Sequence, residues 1–338
     1  MGSSFQDFRK NLLEKTNIVH IIELPQGVFA EVTVDNVILI LRKGRADEKH
    51  NVLIRRMKSK SEHSRLMEGR WDTEFLLPQK VFLESKGFAL NINLDPVQKR
   101  IFDKMERSAI RLGKITESSQ GIIIYKTEKD SRASKYTSFT KKNGWKKLLR
   151  GSDIKRYKIN WNGEYIKYGK WLWSPRDEKF FQRPKILLQA IRNKSLVRRL
   201  IAAYDENGEY YNAHNLANII EKDSRFPLMY ILAIVNSKAA NFWYKLHYPN
   251  VNINPNDFRQ IPIPKNVKST DIDALIQLVK KILSLNQKLT KFGDKRTDET
   301  IKAEAEVIKI DAEIDKIVYD LYNLNSKEIK IIENIYFD

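Results

Sequence analysis

Beyond Ile261-Pro262-Ile263-Pro264 the apolar residues stop arriving in short runs and begin to recur at steps of three and four. Ile272, Leu275, Ile276, Val279, Ile282, Leu283 and Leu289 draw one amphipathic stripe. Gly293-Asp294 interrupts it, and Val307, Ile310, Ile314, Ile317, Leu321 and Leu324 resume the pattern. That spacing places apolar side chains on one face of a helix. It predicts an antiparallel helical hairpin over residues 266–338. A seam of about three heptads reads as packing within the chain rather than as a dimerisation zipper.

Upstream of this change the texture is different. Residues 113–265 alternate short apolar segments with basic, aromatic and glycine-bearing turns. Gly121 to Tyr125, Tyr165 to Trp173, Lys185 to Ile191, Leu200 to Tyr204 and Leu216 to Ile220 read as strands. Pro227 to Val235 runs into a helix through Tyr244. Many short strands with frequent turns favour an α+β or mostly-β module.

Residues 1–60 read as helix, strand, turn, strand. Val37-Ile38-Leu39-Ile40-Leu41 is apolar throughout, which suggests a strand buried on both faces. So short a piece cannot cover both faces of a sheet, so it reads as the edge of a larger domain. Residues 61–112 form a connecting segment ending in a helix entered through Asp95-Pro96. The expected class is α+β: a mixed α/β edge fragment, an α/β-mixed module, then the helical hairpin.

Several chemistries lack their residues. The chain has no cysteine, which removes disulfides, thiolate zinc sites and thiol nucleophiles. Its five histidines are scattered, with no pair at ligand spacing. Thirteen glycines come no closer than Gly163 and Gly169, whereas a nucleotide-binding loop needs them two to five apart. Asp72 with Glu84-Ser85-Lys86 resembles a nuclease metal constellation only loosely, and in a chain this rich in charge it reads as solvated surface charge. No metal or cofactor site is therefore expected. No apolar run reaches the ~18 residues of a membrane span, and Met1 to Asn11 shows no secretory apolar core. A cytoplasmic location is the expectation.

Net charge narrows the partner. The chain carries 61 Lys and Arg against 42 Asp and Glu, a formal +19. Between Lys141 and Leu200 stand 18 of the cations and four of the acids. Trp145, Tyr157, Trp161, Tyr165, Tyr168, Trp171 and Trp173 share that window. Cations hold phosphates while flat rings stack on bases. Arg150, Lys155, Arg156, Tyr157, Lys167, Lys170 and Trp171 are candidate nucleic-acid contacts on this ground. Arg192, Asn193, Lys194, Arg198 and Arg199 join them, since Arg addresses guanine and Asn addresses adenine through paired hydrogen bonds. The Asn-rich segment Tyr248 to Asn256 adds Asn252 and Asn254. Against this stands a plainer reading: rings in the core, lysines on the surface, asparagines in a turn.

The order of several motifs resembles a known family. Leu148-Leu149-Arg150-Gly151-Ser152-Asp153-Ile154-Lys155-Arg156-Tyr157 is similar to the entry of a TaqI-like specificity domain, the target-recognition domain of adenine-specific DNA methyltransferases. Tyr168-Gly169, Pro184-Lys185-Ile186-Leu187, Ile191-Arg192, Tyr230 to Ser237 and Ile261-Pro262-Ile263-Pro264 follow in the family's order. The amino-terminal stretch around Leu24-Pro25-Gln26-Gly27-Val28-Phe29 resembles the tail of the catalytic domain. There Phe29 matches the aromatic position that stacks on the extruded adenine. The family's Asn-Pro-Pro-Tyr tetrapeptide and methyl-donor loop do not occur.

The resemblance implies sequence-specific recognition of double-stranded DNA within a restriction–modification system. It implies S-adenosylmethionine for the parent enzyme but not for this chain, and a methyltransferase or nuclease domain or subunit as partner. The chain by itself is expected not to methylate. Two rivals remain: the specificity subunit of a type I-like complex, or a complete methyltransferase or restriction enzyme whose catalytic part lies upstream. RNA binding is a third, because basic aromatic surfaces do not distinguish strands.

Overall fold

A computed structural model describes residues 5–24, 36–57, 68–92, 95–126, 133–193, 196–248, 251–293 and 295–334. Phe29 and Lys194 lie outside the described residues. The chain divides into two compact units, Met1–Arg100 and Ile101–Asp338. Helices and small separate sheets succeed one another in an α+β order, as the sequence leads one to expect.

The first unit holds one four-stranded sheet, in the order Asn36–Lys43, Thr16–Leu24, Asn51–Arg56, Thr73–Pro78. The central pair, Thr16–Leu24 and Asn51–Arg56, is parallel, and both outer pairs are antiparallel. Helices Gln6–Lys15 and Gln79–Leu83 close a core of Leu13, Ile18, Ile21, Val52, Ile54, Leu77, Phe82 and Ile92. Gln79 fastens it. Its buried carboxamide donates to Leu13 O at 2.9 Å and Thr16 O at 2.8 Å, and accepts from Ile18 N at 2.9 Å.

The apolar run Val37 to Leu41 departs from expectation. Among the described residues it forms an edge strand paired on one side only, and Val37, Ile38, Ile40 and Leu41 are exposed. Burial on both faces needs a layer above and below the sheet, and the described residues do not cover both faces of this strand.

In the second unit two four-stranded sheets pack through small cores. One runs Tyr210–Asn212, Lys146–Leu149, Tyr165–Ile166, Thr137–Ser138; the other runs Ala202–Asp205, Lys185–Gln189, Leu216–Glu221, Thr116–Gln120. The expected strand from Tyr165 to Trp173 stops at Ile166, and a turn follows in which Leu172 N donates to Gly169 O at 3.2 Å. The expected helix through Tyr244 is two, Leu228–Asn236 and Lys238–His247, broken at Ser237. Ser237 Oγ caps the second by accepting from Ala240 N at 3.1 Å. Asn236 spends its side chain on the sheet, accepting from Ala202 N at 2.9 Å and donating to Ala202 O at 3.0 Å. A side-chain amide thus stands where another strand would pair.

The terminal stripes form the hairpin, Ser269–Phe292 and Asp298–Leu321. Gly293 ends the first helix with φ +59°, and Thr297 caps the second. Lys281 and Glu306 pair at 2.6 Å, the register of an antiparallel return. Pro262–Pro264 pairs with Ala109–Arg111, and its carbonyls accept from Tyr322 at 2.6 Å and Tyr230 at 2.9 Å. A two-proline strand has few N–H groups to offer a ladder, so its value lies in carbonyls.

Candidate nucleic-acid interface

The candidate contacts separate into two groups according to where their charge goes. Arg150 grips the buried Glu164 with two bonds of 2.8 and 2.7 Å. Hydrogen bonding to that carboxylate raises the pKa of its guanidinium further. Arg156 is bound to Asp311 and donates to Asn236 O at 2.9 Å. Tyr157 is buried at φ +56°, a left-handed backbone unusual for a bulky residue. Asn286 Nδ2 of the hairpin donates to its carbonyl at 3.2 Å. Burial pushes the Tyr157 phenol well above its ordinary range.

Arg192, Arg198 and Arg199 also face inward to different degrees. Arg192 donates to Arg198 O at 3.1 and 2.9 Å and to Gln189 Oε1 at 2.5 Å. Arg198 reaches Asn236 O at 3.3 Å and lies 3.7 Å from Asp311. Arg199 has no exposed surface at all. Asn254 caps the short helix Pro255–Phe258, accepting from Asp257 N at 3.1 Å. These side chains hold the module together, and arginine density in a sequence does not distinguish that use from ligand contact.

The second group reaches solvent: Lys155, Lys167, Lys170, Trp171, Asn193 and Asn252. Trp171 and Trp173 flank buried Leu172 and are each about half exposed, 49% and 56%. Trp171 Nε1 donates to Lys167 O at 2.9 Å, and the Lys167 ammonium stands 5.0 Å from the indole. Lys126 sits likewise 5.2 Å from Trp173. The Trp171 ring lies over Gly169 so closely that a Cβ there would come within 2.4 Å of it. Two exposed indoles with cations against their faces form a surface suited to stacking and phosphate contact. Trp173 stood in the aromatic window but was not among the named contacts, and its two-residue spacing from Trp171 was the signal; Lys126 lies outside that window.

Among the described residues no three His, Asp or Glu side chains gather as a metal site. Glu84 lies 3.7 Å from Lys80 across one helical turn. The closest glycine approaches are filled by protein: a Cβ at Gly121 would meet Ala213 O at 2.2 Å, and one at Gly208 would meet Gln182 C at 2.5 Å. Those two backbone approaches are occupied by the protein's own atoms and are not open cofactor cradles. No described helix is long and apolar enough to cross a membrane.

Comparison with known proteins gives two family matches. Residues 146–263 match the model of the TaqI-like C-terminal specificity domain, and residues 2–112 match that of the N-6 DNA methylases. A putative type II restriction enzyme and methyltransferase of Methanocaldococcus jannaschii is 26% identical over 304 residues. That match takes in 84% of this chain and 24% of the relative. Among solved structures, the type IIL restriction–modification enzyme MmeI in complex with DNA covers 96% of this chain at 8% identity and a TM-score of 0.48. The chain spans 46% of that protein and about a quarter of the curated relative. The chain is thus similar to the TaqI-like C-terminal specificity domain over residues 146–263 and, ahead of it, to the N-6 DNA methylases over residues 2–112.

Proposed function

We propose that this chain is the DNA target-recognition portion of an adenine-specific methyltransferase in a restriction–modification system. What carries the reading is the specificity-domain match over residues 146–263, within which lie the exposed Lys155, Lys167, Lys170, Trp171 and Trp173. Lys155, Lys167 and Lys170 would take phosphates and set register on the duplex. Trp171 would add a flat face, and Asn193 and Asn252 would reach base edges. The inward-facing Arg150, Arg156, Arg192, Arg198, Arg199, Tyr157 and Asn254 would act on DNA through the loops they hold.

Methyl transfer belongs on this reading to a parent enzyme that uses S-adenosylmethionine, with Phe29 stacking on the extruded adenine. A methyltransferase or nuclease part is the partner this requires. The test is equilibrium binding of duplex DNA and of duplex RNA over a range of salt. DNA affinity is expected to fall steeply and linearly on logarithmic axes as salt rises, because bound cations release counterions. Salt-independent binding, or equal affinity for duplex RNA, would overturn the assignment.

A further inference from the structure

Two segments remote in sequence meet as a short antiparallel ladder. Arg192 N donates to Val251 O at 3.1 Å, and Ile253 N donates to Ala190 O at 2.8 Å. Those bonds bracket the bridge between Ile191 and Asn252. Hydrogen bonds on either side of a pair, with none inside it, mark the position where Cα atoms stand about 4.5 Å apart and side chains are closest. Ile191 and Asn252 therefore project side by side from one face. Both are exposed, Ile191 by 51%.

The ladder is fixed from behind. Ile253 and Phe258 are fully buried, and Asn254 caps the helix that follows. Arg192 ties the other strand to Arg198 O and to Gln189, whose amide in turn donates to Gly151 O and Ile154 O at 2.7 Å each. The named partners of Arg192 are neutral oxygens, so its charge is retained at the foot of the ladder. An aliphatic and a carboxamide are thus held rigidly at an exposed position beside a cation.

We propose that Ile191 and Asn252 together read A·T pairs in the major groove. The inference rests on the DNA-recognition reading above. The Asn252 carboxamide carries a donor and an acceptor side by side, which matches N6–H and N7 of adenine. Ile191 supplies an apolar contact for the C5-methyl of thymine. Cβ atoms about 5 Å apart on such a pair suit base pairs stacked about 3.4 Å apart in one groove. The thymine methyl makes the contact specific to DNA over RNA.

The test starts with selection of preferred duplexes from a randomised library by the chain. The chosen duplex is then remade with uracil for thymine, or with adenine lacking N7, one position at a time. At one thymine, uracil is expected to lower affinity about fourfold, the worth of one methyl. At one adenine, loss of N7 is expected to cost about five- to a hundredfold. Asn252→Ala should remove sensitivity to the second change and Ile191→Ala sensitivity to the first. The altered bases leave the protein untouched, so the result does not depend on how either variant folds. Equal affinity for thymine and uracil at every position, or unchanged discrimination by Ile191→Ala, would overturn the proposal while leaving DNA recognition standing. A library that yields no preferred duplex would overturn both.

Discussion

Arg156 and Asp311 stand 155 residues apart in sequence and form a two-toothed ion pair, Nη1 to Oδ2 at 2.6 Å and Nη2 to Oδ1 at 2.5 Å. The pair bolts the recognition module to the second hairpin helix, and both side chains are more than four-fifths buried. Removing one partner of a buried pair strands the other charge and costs about 3–5 kcal/mol. The remaining exposure here argues for the lower end. Arg156→Met or Asp311→Leu alone is expected to destabilise the chain by about 3 kcal/mol. The double substitution should cost clearly less than the sum of the two. Urea unfolding of the four proteins measures this, and strictly additive losses would show that the pair does not act as a unit.

That ion pair also explains what was legible in the sequence. The motifs that give the family resemblance mostly serve as fasteners. Arg150 holds Glu164, Asn236 pairs with Ala202, Ser237 caps a helix, and Pro262 and Pro264 take two tyrosine hydroxyls. The periodic hairpin was readable because one face must meet the other at heptad spacing. Which cations face solvent was not readable, because Arg199 and Lys155 look alike until burial separates them. The pairing of Ile191 with Asn252 was equally hidden, since nothing local links residues on separate loops. The edge strand at Val37 misleads for a related reason: apolarity reports what a strand needs, and this unit leaves it exposed.

Lys167 and Lys170 should behave unlike Arg199. If the exposed lysines hold phosphates, each change to Ala weakens binding about equally on all duplexes and lowers the salt slope by roughly one. Stability should stay within about 0.5 kcal/mol for either variant. Arg199→Ala should do the reverse in kind, lowering the melting temperature while leaving the salt slope of the folded fraction unchanged. Binding isotherms at several salt concentrations, paired with thermal melts, separate the two patterns. A lysine variant that melts early without losing slope would remove it from the interface.

Gly169 should be sensitive through the Trp171 ring. A Cβ there would lie 2.4 Å from two atoms of the indole, inside any permitted contact. Because half of Trp171 faces solvent, the ring can swing aside and the fold should survive Gly169→Ala with a loss of about 1 kcal/mol. Its stacking face would be misplaced, and one aromatic stack is worth about 1–3 kcal/mol in nucleic-acid binding. DNA affinity is therefore expected to fall about tenfold. Tryptophan fluorescence should change less on DNA addition than in the parent chain. Wild-type affinity with wild-type quenching would exclude Trp171 from contact.

Asp315 gives the module a dependence on pH of definite sign. It is buried one helical turn from Asp311, and burial, then the Asp311 charge, pushes its carboxyl from 3.8 up to about 6. Arg156, Arg198 and the backbone of Lys238 oppose the rise. Asp315 accepts from Lys238 N at 2.7 Å, and Lys238 Nζ is shared with Glu333 at 3.0 Å. Between 3.8 and about 6 the folded chain keeps a proton that the unfolded chain has released. Unfolding free energy from this group therefore falls as pH rises through that window and is flat above it. Asp315→Asn keeps an oxygen for Lys238 N and removes the titration. The variant should lose less stability than the parent between pH 4 and pH 7, a difference on the order of 2 kcal/mol. Parallel melting profiles for the two proteins over that range would show that Asp315 titrates where an unfolded aspartate does.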